Sequence, residues 1–231
     1  MFYTIETFRE TFRKTGGSRP PIQRGKNMTQ FRLRLASAIF AVVAAGFACG
    51  DLLNPSFESG TGASADNWAS FGNAFREGTG ARTGDFSMKM FGNFSGSFNV
   101  TGTFQDFAIN VGESASASVF AQSLAGDFLQ GGNRALLKLI YRDAGNNDLV
   151  FAESALINAS STPDTFLNLT AALGPAPVGT HHGSVFLLFL QESDNAGGSV
   201  FFDDVSVQVV PEPATLAVLG LAGAALLRRK R

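Results

Sequence analysis

The chain has 231 residues, with 18 Lys+Arg against 19 Asp+Glu and a formal net charge of −1. A single cysteine excludes a disulfide-stapled scaffold, and 45% hydrophobic residues exclude an intrinsically disordered chain. The even charge balance hides unlike regions. Between Asp51 and Val210 there are 6 Lys+Arg and 16 Asp+Glu, a net of −10, while the other 12 basic residues lie before Ala36 or at the C-terminus. A stretch of that charge repels phosphate backbones, which excludes nucleic acid as a partner, and it suits extracellular solubility and divalent cations.

Residues 1–27 are polar and basic, carry Gly16-Gly17 and Pro20-Pro21, and show no apolar period. They read as a probable non-native extension, with translation starting at Met28. From there Arg32 and Arg34 precede an apolar run from Leu35 to Ala48, which has the charge and length of a secretory signal peptide helix over 28–48. Gly46-Phe47-Ala48 is a small-x-small site, so cleavage is expected after Ala48. Cys49 follows. The residues before it depart from a lipoprotein pattern at Gly46 and Phe47, so a lone surface thiol is the main reading and lipidation the alternative.

The segment 49–209 is long enough for one domain with its own core. Short apolar and aromatic runs alternate with Gly, Asn, Asp and Ser, which predicts strands near 51–58, 68–76, 85–91, 97–109, 114–123, 134–142, 148–157, 165–173, 183–191 and 199–209. Val185 to Leu190 is continuously apolar, as in a strand covered on both faces, and Ser114 to Phe120 alternates, as in a half-exposed one. Gly145-Asn146-Asn147-Asp148 and Asp194 to Gly198 supply turns with positive φ. The expected fold is all-β, a two-sheet sandwich of the jelly-roll kind.

Three short segments resemble the galactose-binding-like sandwiches of carbohydrate-binding modules. They are Leu52 to Gly60 with Trp68 following, Gly84 to Met90, and Val200 to Val207. Period two would place Phe201, Asp203, Val205 and Val207 on one inward face, and a carboxylate there needs a partner. The resemblance implies a structural calcium ion held by Glu58 and Asp203; the alternative is that Asp203 accepts backbone amide hydrogens or meets an arginine. Trp68 is the candidate sugar platform, against a plain core role. Phe91, Phe94, Phe98, Phe104 and Phe107 either fill the core or line a sheet that stacks on polysaccharide. His181-His182 would point opposite ways in a strand, Asp203-Asp204 likewise, and no nucleophile or metalloprotease motif is present. An enzyme is therefore the weakest reading.

At the far end, Val210-Pro211-Glu212-Pro213 precedes an apolar run from Ala214 to Leu227 and then Arg228-Arg229-Lys230-Arg231. Two prolines keep the triplet extended and free of a ladder. As a helix the 14 apolar residues reach roughly 21 Å, short of a roughly 30 Å hydrocarbon core. The basic end fixes orientation, because positive ends stay cytoplasmic. This order over 210–231 resembles the PEP-CTERM sorting signal, and a plain membrane anchor is the alternative. The resemblance implies an exosortase partner that cuts near Pro211, Glu212 and Pro213, with Arg228 to Arg231 as the basic stop. It implies export through the inner membrane of a Gram-negative bacterium, transient residence there, and delivery to the cell surface or the exopolysaccharide matrix. The expected role is structural or adhesive in biofilm or envelope. A carbohydrate-binding module with a defined ligand and, less favoured, a polysaccharide-active enzyme are the competing readings.

Overall fold

A computed structural model describes the backbone of Ala48–Cys49 and residues 52–211. The expected signal peptide up to Phe47, the residues before it, and the expected sorting helix with Glu212, Pro213 and Arg228 to Arg231 lie outside the described residues, while Ala48, the expected cleavage site, is in β1. The strands are β1 (Ala48–Cys49), β2 (Gly60–Thr61), β3 (Ser64–Ala65), β4 (Ala69–Phe71), β5 (Asn73–Glu77), β6 (Ser87–Phe91) and β7 (Asn99–Phe107). They continue with β8 (Ser114–Gln122), β9 (Arg134–Arg142), β10 (Asp148–Glu153), β11 (Ile157–Asn158), β12 (Leu167–Leu173), β13 (His182–Gln191) and β14 (Val200–Val210). Two antiparallel sheets form a jelly-roll sandwich. The first has the order β12-β8-β14-β6-β5, with β1 on the end of β14; the second has β10-β9-β13-β7-β4, with β11 on β9. The chain crosses between sheets after β4, β6, β7, β8, β11, β12 and β13. Among the described residues no helix is long and apolar enough to cross a membrane.

The core follows from alternation. Ala115, Ala117, Val119 and Ala121 of β8 face Ala135, Leu137, Leu139 and Tyr141 of β9 and Val185, Leu187 and Phe189 of β13 across the sandwich. Small residues on β8 leave room for large ones opposite, such as Tyr141, Phe189 and Leu137, all fully buried. Each large side chain so buried contributes about 1.5–3 kcal/mol.

Four expectations shift. Residues 52–58 of the strand expected over 51–58 are not a strand. Asn54 and Phe57 take φ of 54° and 59°, and the Asn54 side chain holds the turn by bonding the carbonyls of Ser59 and Asp66. The Gln105 side-chain amide takes the place of a strand partner, bonding both N–H and C=O of Leu53. Residues 68–76 break at Gly72 (φ 69°), so β4 joins the second sheet and β5 the first. A side chain at Gly72 would press on Thr101. The 148–157 run divides into β10 and β11. Lastly, β13 is covered on one face only: Phe186, Leu188 and Leu190 stay half-buried on the other.

Candidate functional site

The closing strand departs from strict alternation, and the departure decides what its aspartates do. Val200 and Phe202 point into the core, but so do Val205, Val207 and Val209. The change of parity is a bulge between Asp203 and Ser206 in the pairing with β8, with Asp204 at φ 52°. Phe201 and Asp203 therefore face outward, against the expectation of an inward Asp203. They are nonetheless 1% and 0% exposed, because the 78–86 loop folds over them. Gly80 (φ 73°) lets that loop lie on the Phe201 ring, where a Cβ would overlap it.

Asp203 holds the loop by its backbone. Its Oδ2 accepts the amide hydrogens of Arg82 (2.6 Å) and Thr83 (3.0 Å), and its Oδ1 that of Asp204 (2.7 Å). Burial pushes its carboxyl above the usual range, while these amides pull the other way. Glu58 grips the same loop further on, accepting from the amides of Asp85 and Phe86 at 3.0–3.1 Å. Asp204 completes the clasp. It takes the Arg82 guanidinium at 2.6 Å and the hydroxyls of Thr83 and Ser56. Burial works to raise its carboxyl, but those donors outweigh burial and hold it below the usual range.

This donor set does not fit a calcium ion. A hard cation needs oxygen donors, and here amide hydrogens, which repel a cation, point at both Glu58 and Asp203. No group of three metal-ligating side chains gathers among the described residues. The expected consequence is that the thermal midpoint of the protein is the same in millimolar calcium and in excess chelator. A midpoint that rises with calcium would show that the loop rearranges to turn carbonyls toward these carboxylates.

Trp68 is a core residue. It is 8% exposed, packs on Phe57 at 5.0 Å between ring centroids, and donates its indole N–H to the Asn54 carbonyl at 2.9 Å. A ring so buried offers no face to a sugar. Nor do His181 and His182 point apart. His181 precedes β13, so alternation does not govern it, and the two Nδ1 atoms lie 3.2 Å apart. Ser184, Asp106 and His182 meet on the second sheet, but in the wrong order for nucleophilic catalysis. The Ser184 hydroxyl donates to Asp106 at 2.5 Å, while His182 Nε2 is 4.0 Å from that carboxylate. A nucleophile needs its proton taken by the imidazole.

The outward face of the second sheet carries the most unusual surface. Phe151 of β10 pairs in register with Ile140 of β9, Phe186 of β13 with Phe104 of β7, and Phe71 of β4 with Gly102 of β7. The Phe104 and Phe186 rings stack at 4.7 Å and 15°. Phe71 lies over Gly102, where a Cβ would press on both Phe71 and Leu188. The result is a diagonal stripe of four rings, from β10, β13, β7 and β4, with Ile140 of β9 between Phe151 and the stacked pair, crossing about 19 Å of sheet at the usual strand spacing. Phe71 is 38% exposed and Phe151 53%, whereas Leu136 and Ile140 beneath are 4% and 2% exposed. Polar groups border the stripe. Arg142 lies 4.9 Å from the Phe186 centroid and pairs with Asp148; Lys138 lies 4.0 Å from Phe151 and makes no ion pair among the described residues. Contiguous apolar surface rimmed by polar groups marks an interaction site. Of these rings only Phe104 was singled out from the sequence. Phe186 was hidden in a run read as wholly buried, and Phe107 is core.

Comparison with known proteins agrees at both levels. Residues 209–231 match the PEP-CTERM protein-sorting motif. No curated protein is similar enough to this chain to be called a relative. Its structural neighbours are carbohydrate-binding modules and other β-sandwiches. A cyclase from Fischerella sp. TAU is 15% identical with a TM-score of 0.53, over 71% of this chain and 98% of that one. A Stig cyclase from the same organism, bound to an indole derivative, is 16% identical with a TM-score of 0.52, over 72% and 99%. The CBM22-1 xylan-binding domain from Paenibacillus barcinonensis is 16% identical with a TM-score of 0.46, over 68% and 92%. At such identity the likeness to the two cyclases extends to the fold alone.

Proposed function

We propose that this exosortase-sorted surface protein is a non-enzymatic adhesive module that holds matrix polysaccharide on the outward face of its second sheet. The observation that carries the reading is the aromatic stripe of Phe151, Phe186, Phe104 and Phe71. Sugars present apolar ring faces and a collar of hydroxyls. The stripe offers aromatic rings, with Lys138, Arg142, Asp106 and Asp148 beside them as hydrogen-bonding groups. Surface delivery by the sorting motif supports this reading, since cell-surface proteins meet such polymers. The non-enzymatic part rests on committed side chains. Asp203 and Asp204 spend their oxygens on the 78–86 loop, and Ser184 gives its proton to Asp106.

Affinity electrophoresis of the full-length protein through gels containing soluble polysaccharides tests this. Phe71→Ala with Phe151→Ala removes exposed rings without opening the core, and retention should fall about tenfold, the worth of one or two aromatic contacts. Equal migration with and without every polysaccharide would remove the binding reading. Sugar released from the polymer by the wild type would replace it with an enzymatic one.

A further inference from the structure

A second aromatic surface lies away from the stripe, on the 92–98 loop that carries the chain from β6 in the first sheet to β7 in the second. Phe94 and Phe98 are 49% and 52% exposed there, and Phe75 beside them is 37% exposed. Three rings run in series, Phe75 to Phe91 at 5.8 Å and Phe91 to Phe94 at 6.5 Å.

The loop is built to hold this arrangement. Phe94 has φ 53°, a left-handed backbone that costs a bulky residue about 1–3 kcal/mol. A fully buried side chain keeps it there: Gln191 Oε1 accepts the Phe94 amide hydrogen at 2.8 Å and that of the Asn99 side chain at 3.1 Å. Asn99 Oδ1 in turn accepts the Asn93 amide, Asn195 Oδ1 the Gly96 amide, and Asn73 donates to the Gly92 carbonyl. Strain and a buried clamp hold a phenylalanine ring half in water, where burial repays only part of that strain. Outliers held by their surroundings cluster at ligand sites.

The chemistry around the rings selects the ligand. Phe91 to Asn99 contains no charged residue, in a domain of net charge −10. Its polar groups are amides and hydroxyls, and the side-chain nitrogens of Asn93 and Asn195 make no hydrogen bond among the described residues. Aromatic faces with neutral donors match the apolar faces and hydroxyls of uncharged sugar rings.

We propose that the 92–98 loop is a second glycan-binding site, selective for neutral polysaccharide, with Phe94 and Phe98 as its platforms. The proposal rests on the reading that the sandwich holds polysaccharide, and it adds a site that engages the polymer separately from the sheet. Two contacts on one chain raise overall avidity without any new contact at either.

The test compares the full-length wild type, Phe94→Ala with Phe98→Ala, and Phe71→Ala with Phe151→Ala. The probes are a β-glucan, a xylan and a galactan, with alginate as the acidic control. The loop variant should lose about tenfold in retention on at least one neutral polymer, with an unchanged thermal midpoint and unchanged behaviour on alginate. Phe98→Tyr should keep retention. If the loop variant is retained like wild type while the sheet variant is not, the loop site is overturned and the sheet reading stands. If the loop variant loses retention and the sheet variant does not, the sheet reading falls and the loop site stands. Loss of a dimer in the loop variant by sedimentation, with glycan retention intact, would make the loop a contact between copies and overturn the proposal.

Discussion

Replacing Asp203 with alanine should lower the unfolding free energy by about 3–5 kcal/mol, the range for breaking a buried charged interaction by removing one partner. The reason is the number of groups left behind. Asp203 is fully buried and accepts three amide hydrogens, from Arg82, Thr83 and Asp204. Each amide left buried and unpaired costs about 1–3 kcal/mol. Loss of the clasp also lifts the 78–86 loop from Phe201, exposing a ring that is now 1% exposed. For a domain of this size each kcal/mol is worth about 2–4 °C, so the midpoint should fall by roughly 6–20 °C. Asp203→Asn keeps an acceptor at one position and should lose about half as much. Asp204→Asn should cost only about 1 kcal/mol, because its Arg82 pair sits at the surface with side chains 19% and 37% exposed. Thermal melts of the three variants check the order. An Asp203→Ala protein melting with the wild type would mean that water replaces the carboxylate at no cost, and the clasp would not be structural.

The same aspartates show where a sequence can be read and where it cannot. Alternation from Ser114 to Phe120 placed Ala115, Ala117 and Val119 inward correctly, because nothing interrupts that ladder. In β14 the alternation is anchored on Val205 and Val207, which do face the core, but a single bulge after Asp203 reverses the phase upstream, so Phe202 faces inward and Phe201 and Asp203 do not. A bulge leaves little trace in composition: Asp203-Asp204 looks like any acidic pair until one of them takes a positive φ. Gly72 is similar. One glycine in an apolar run decides that β4 and β5 belong to different sheets, a matter of tertiary packing against Thr101. Glu58 and Asp203, expected as a pair of calcium ligands, instead each hold the same loop, by accepting amide hydrogens of Arg82, Thr83, Asp85 and Phe86. Backbone donors have no signature in side-chain spacing. The stripe was half legible for a different cause. Phenylalanine in a strand reads as core, and only the register of Phe186 with Phe104 shows that both stand on the solvent side.

Replacing Pro211, Glu212 and Pro213 together with alanine should turn the uncut form, still carrying Arg231, into the main species in the cell. In the wild type the surface form should end near the triplet. The prediction follows from the sorting motif over 209–231 and from where β14 stops. Val209 and Val210 still pair with Ala115 and Ser114, and the next residue, Pro211, has no N–H with which to continue the ladder. The chain thus leaves the sheet at the first residue of the triplet, exposed and without an intervening linker. Alanines restore two donors, which lets the segment fold back toward the sheet and removes the rigid extension that an exosortase reads. Single changes separate the two effects. Glu212→Ala alters only the side chain expected to be recognised, whereas Pro211→Ala alters chiefly the freedom of the strand end, so the second should be rescued by inserting a short Gly-Ser linker after Val210. The C-terminal mass, not the location of the protein, is the proper readout. An apolar run of 14 residues, roughly 21 Å as a helix against roughly 30 Å of hydrocarbon, holds too weakly for membrane retention to report faithfully on cutting. A triple variant whose surface form ends where the wild type does would show that the triplet is not what the enzyme recognises.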